Sequence, residues 1–92
     1  MTEPIEKQRK ELETKVAAEV VRLKDGVVNA KLILRKIEES RQPYPIASKY
    51  TKEDLLLLRR RLRSSTALLQ RIPDLSDYEV ELILGIYRKT SQ

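Results

Sequence analysis

The sequence predicts an all-α fold, in which one long N-terminal helix carries two shorter helices packed back along it as a three-helix antiparallel bundle, dimeric in its working form. Three observations predict it. Over residues 16 to 37, VAAEVVRLKDGVVNAKLILRKI, apolar residues recur at spacings of three and four: Val20, Leu23, Val27, Ala30, Leu34 and Ile37. That is the seam of a helix. The chain has two Gly, four Tyr and no Phe or Trp, which leaves little material for sheets and tight turns. Hydrophobic residues make up 40% and charged residues 36% of 92 positions, enough for one small core under a polar surface. At this size self-association is a common supplement to the core.

Helix 1 is expected over about residues 3 to 40. Glu3 and Glu6 lie in its first turn, where the helix dipole favours acids, and Pro4 stands at an early position where a missing N–H does no harm. Ile5, Leu12 and Val16 lead into the seam. Asp25-Gly26 is the one place where the helix could break, but the seam keeps its phase across that pair, which favours continuity. RQPYPIAS, with two prolines, ends the helix and opens a loop over residues 41 to 50.

Helix 2 is expected over about 51 to 72, with Thr51 as N-cap, Asp54 at N3, and Tyr50 with Leu55 as a hydrophobic staple. Its core face reads Leu55, Leu58, Leu62, Leu69 and Ile72, joined by Leu57 and Leu68, and Pro73 ends it. Helix 3, about 76 to 90, opens with Ser76 as N-cap, Glu79 completing a capping box, and Leu75 with Val80 as staple. Its apolar arc (Val80, Leu82, Ile83, Leu84, Ile86, Tyr87) spans roughly 200° of the helical wheel, so it is expected to be wedged between neighbours.

A second apolar strip runs along helix 1 at Ala17, Val21, Val28 and Leu32, about 140° around the helix from the seam. With helices 2 and 3 on the seam, this strip has no intramolecular cover, and it is the predicted self-association surface.

The net charge of +5 is concentrated in helix 2, where residues 51 to 72 hold six Lys or Arg against Glu53 and Asp54, a net of +4. Leu56, Arg59, Arg60 and Arg63 form its outward face, and these residues with Tyr50 are the expected contacts for a protein partner or for phosphate. The alternative is a solvated face, or pairing with Glu11, Glu13 and Glu19 of helix 1. Arg61 falls within the apolar arc, where it either lies over the rim of the core with its head in water or pairs with Glu19.

Having no His or Cys, the chain is excluded from imidazole and thiol catalysis and from thiolate metal sites. It also has no Gly-rich phosphate loop and no G-x-S-x-G. No catalytic, cofactor-binding or metal-ligating residues are therefore assigned, and no small-molecule substrate is expected. No apolar run approaches the ~20 residues of a membrane span, and the charged start lacks a signal-peptide core. The expected compartment is the cytoplasm or the nucleus.

The outline of long helix, loop and two shorter helices in a dimer resembles the all-helical chorismate mutase family. That resemblance implies a dicarboxylate bound by arginines projecting inward from the first helix. Here that seam is aliphatic, Arg9 at its edge is the one inward arginine, and Lys52-Glu53 only faintly echoes the family's Asp-x-x-Arg-Glu motif. Lys49-Tyr50-Thr51-Lys52-Glu53-Asp54-Leu55-Leu56 fits Tyr-x-x-x-x-Leu-Φ and resembles the short helix by which translational repressors and scaffolds grip the mRNA cap-binding initiation factor. It implies docking roles for Tyr50, Leu55 and Leu56. Weighed together, these features predict a non-enzymatic helical protein–protein interaction module that self-associates through helix 1. The alternative is a basic nucleic-acid-binding or regulatory protein using the arginine face of helix 2, and a lesser one a mutase-like enzyme.

Overall fold

A computed structural model describes residues 3 to 40 and 51 to 90 of the chain. Among these residues the elements are α1 (Ile5–Ser40), α2 (Lys52–Arg71), a 3-10 turn (Ile72–Asp74) and α3 (Asp77–Thr90), with no strand. The expected loop over 41 to 50, and Tyr50 of the first staple, lie outside the described residues.

The first helical N–H groups of α1 are satisfied locally, with Lys7 and Gln8 donating to the Pro4 carbonyl at 3.1 Å each, and the Gln8 side chain donating to Glu3 O at 2.9 Å. The helix runs unbroken through Asp25-Gly26. Its phase was the stronger signal. A Cβ built at Gly26 would meet only the methyls of Leu58, at 3.8 and 3.9 Å, an ordinary contact. Gly26→Ala is therefore expected to raise stability by about 0.5–1 kcal/mol, read as a higher denaturant midpoint at unchanged slope. A loss of stability would show that the glycine is required there.

Both expected N-terminal caps form as reciprocal boxes. Asp54 N donates to Thr51 Oγ1 at 3.1 Å and Thr51 N to the Asp54 carboxylate at 2.9 Å; Glu79 N donates to Ser76 Oγ at 3.2 Å and Ser76 N to the Glu79 carboxylate at 3.1 Å. Leu75 and Val80, the staple of α3, are buried in the same core cluster.

α2 runs antiparallel to α1, since Leu58 near its start faces Gly26 while Ile72, just past its end, receives a hydrogen bond from Arg9. The turn then reverses the chain. Asp77, the first residue of α3, pairs with Arg9 at 3.3 Å, and the last turns of α3 reach Glu19, Arg22 and Leu23, so α3 runs in the direction of α1. Both shorter helices lie closest to α1, and their side chains meet over it in one core cluster.

The core consequently has two zones. In the lower one Leu12, Val16 and Val20 of α1 meet Ile72, Leu75, Val80 and Leu84, with Leu62, Leu68, Leu69, Ile83 and Tyr87 packed around them. Above it, Leu23, Val27 and Ala30 continue the buried side of α1, with Leu58 of α2 facing Gly26 between them and Leu23 beside the last turn of α3. The result is long and thin, 59 × 25 × 16 Å with a radius of gyration of 17.3 Å, against about 12 Å for a rounded domain of this length.

Two sequence expectations are corrected here. α3 is not wedged on all sides, because Leu82 and Ile86 face solvent while Val80 and Leu84 fill the core; only one side of its broad arc is turned toward the other two helices. Leu57 does not join the core face of α2. It is exposed, one helical turn above Arg61, which is exposed as well.

Candidate functional site

Two features of the surface stand apart from an ordinary polar exterior. The first is the outward strip of α1. Val21, Val28 and Leu32 are 58%, 55% and 50% exposed, and Ala17 is half-buried. No described residue covers the outward three. Asp25, Arg35 and Glu39 continue the same line at heptad spacing, and Arg35 reaches Glu39 at 3.6 Å.

The second is the junction where α3 ends against α1 and α2. A groove of about 1030 Å³ opens there, walled by Lys15, Glu19 and Arg22 of α1 and by Arg60 and Arg61 of α2. Ile86, Tyr87 and Thr90 of α3 close its lower end. The Tyr87 hydroxyl donates to the Glu19 carboxylate, and Ser65, buried in α2, donates to the Tyr87 oxygen. Burial first, and then the neighbouring Glu19 charge, push the Tyr87 phenol up to about 12. Its folded value lies above that of an unfolded tyrosine, so its contribution to stability is complete below about pH 10 and is lost as pH rises from there toward 12. Of the four tyrosines, one is expected to form phenolate late in an absorbance titration of the folded protein. Tyr87→Phe should remove that late step; its persistence would place the perturbed phenol elsewhere.

Of the two positions open to Arg61, the pair with Glu19 does not form among the described residues. Glu19 is held by Tyr87, and Arg61 is exposed and makes no ion pair with a described residue. The rim position is the one realised. Nor do the α1 acids neutralise the arginine cluster: Glu11 instead accepts a bidentate pair from Arg88, at 2.7 and 2.8 Å, and the same guanidinium reaches Glu3 at 2.9 Å. These bonds hold the Glu11 carboxyl below its ordinary value and keep Arg88 firmly protonated. Arg9 is likewise committed, to Ile72 O and Asp77, and so clamps the α2–α3 turn.

The expected partner face of α2 is divided. Leu56, Arg60 and Arg63 are exposed, Arg59 is half-buried, and Arg60 turns with Arg61 toward the groove. Lys15 and Arg22 join them there, two residues that a reading of α2 alone could not bring in. Among the described residues no helix is long and apolar enough to cross a membrane. Comparison with protein-family models, with curated proteins and with solved structures found no match.

Proposed function

We propose that the protein is a small non-enzymatic interaction module that self-associates through the outward strip of α1 and offers the exposed face of α2 around Leu56, Arg60 and Arg63 to a protein partner. The observation that supports this most is the line of large aliphatic side chains, Val21, Val28 and Leu32, all at least half exposed. Standard protein interfaces remove about 800 Å² from each partner.

Charge selects the orientation. In a parallel pair the seam Val21, Asp25, Val28, Leu32, Arg35, Glu39 would set Asp25 against Asp25 and Arg35 against Arg35. An antiparallel pair centred at Ala30 sets Val28 against Leu32 and Asp25 against Arg35, each twice. The chain has no cysteine, so single-cysteine variants test this cleanly. Asp25→Cys mixed with Arg35→Cys should form a disulfide-linked dimer under mild oxidation, while either alone should not. In the antiparallel pair like positions lie about 15 Å apart along the axis, beyond the reach of a disulfide. Efficient linkage of each variant to itself would contradict the antiparallel arrangement.

The alternative, nucleic-acid binding through the arginine face, is favoured by Arg60, Arg61 and Arg63 being exposed and outside the ion pairs formed among described residues. It predicts affinity that falls steeply with added salt.

A further inference from the structure

We propose that the groove at the upper end of α3 is the docking site for a partner helix that is apolar along one side and acidic along its flanks. The first ground is that, among the described residues, no third helix accompanies α1 and α2 along their upper part. α3 stops at Thr90, beside Arg22 and Leu23, while α1 runs on to Ser40 and α2 begins farther up at Lys52. No described residue continues above the cover that α3 provides below. On α2, Leu57, Arg61, Ser65 and Leu68 follow one another at helical spacing; Leu68 packs on the core and Ser65 meets Tyr87, yet Leu57 is 52% exposed. On α1 the corresponding line is Arg22, Gly26, Asn29 and Ile33, of which Gly26 and Ile33 are only half-buried.

The second ground is charge. Lys15 and Arg22 on one wall, and Arg60 and Arg61 on the other, form no ion pair with a described residue. Glu19 is the acid among the lining residues, and its carboxylate is already occupied by Tyr87. An incoming ligand meets cations on both sides and Leu23 and Ile86 between them. A lone phosphate would use the cations and leave that apolar floor wet. A helix, about 10 Å across, spans the groove, lays its apolar side on Leu23, Leu57 and Ile86, and turns its acids to both walls.

This face of α1 lies about 120° around the helix from the self-association strip, so the proposal goes beyond the dimer and does not depend on it. The test is fluorescence anisotropy with a labelled synthetic peptide carrying Leu at i, i+3, i+4 and i+7 flanked by Glu, and with a scrambled peptide of the same composition. The patterned peptide should bind at least tenfold tighter than the scrambled one. Arg22→Glu with Arg61→Glu, and separately Leu57→Asp, should each weaken it at least tenfold with the circular dichroism unchanged, since all three side chains are exposed. Val28→Glu with Leu32→Glu should leave it intact. The proposal is overturned if the patterned peptide fails to bind at ~1 mM, the weak limit of useful affinity. Equal binding of the scrambled peptide, or tighter binding of a DNA duplex, would reduce the groove to an unselective basic patch and overturn it as well.

Discussion

Leu12→Ala is expected to destabilise the protein by about 3 kcal/mol, the middle of the range for removing three buried carbons and leaving a cavity. Leu12 is fully buried in the cluster that joins α1 to the α2–α3 turn and α3, so the space it would vacate lies between these elements. Domains of this size have about 5–15 kcal/mol in total, and each kcal/mol moves the melting temperature by about 4–8 °C. The melt should fall by roughly 12–24 °C on that scale. Leu57→Ala, on an exposed side chain of the same type, is the control and should stay within ~0.5 kcal/mol. Both belong at one protein concentration, because the stability of a self-associating chain depends on it. Equal effects of the two changes would contradict the placement of the core.

Val28→Glu with Leu32→Glu should abolish self-association while leaving the helical content intact. In the dimer each carboxylate would face an aliphatic side chain or another carboxylate, with no cation within the seam except Arg35. In the single chain both positions are at least half exposed, so the fold of the protomer loses no buried contact. A variant that unfolds instead would show that this strip is covered within the chain.

What was legible in the sequence was what local chemistry decides. The phase of Leu12, Val16, Val20, Leu23, Val27 and Ala30 gave both the length of α1 and its buried side, and Thr51–Asp54 and Ser76–Glu79 marked two helix starts to the residue because a capping box closes within four positions. The placement of α3 was not legible, since an apolar arc of ~200° is compatible with neighbours on either side. Only the turn, clamped by Arg9 on Ile72 and Asp77, puts Val80 and Leu84 inward and Leu82 and Ile86 outward. The groove was hidden for a related reason. Lys15, Arg22, Arg60 and Arg61 come from two helices whose register the sequence leaves open, and Glu19, weighed only as an alternative partner for Arg61, is taken by the Tyr87 hydroxyl. A tyrosine on the half-buried edge of an apolar arc, needing a partner for its hydroxyl, was the one signal that pointed there.

The central claim, that the outward strip of α1 joins two copies, is tested most directly by sedimentation equilibrium of the unmodified protein over a range of concentrations beside the Val28→Glu, Leu32→Glu variant. The account predicts a wild-type mass of about twice 10.8 kDa, with the variant at the single-chain mass. A wild type that sediments near 10.8 kDa at every concentration would contradict it.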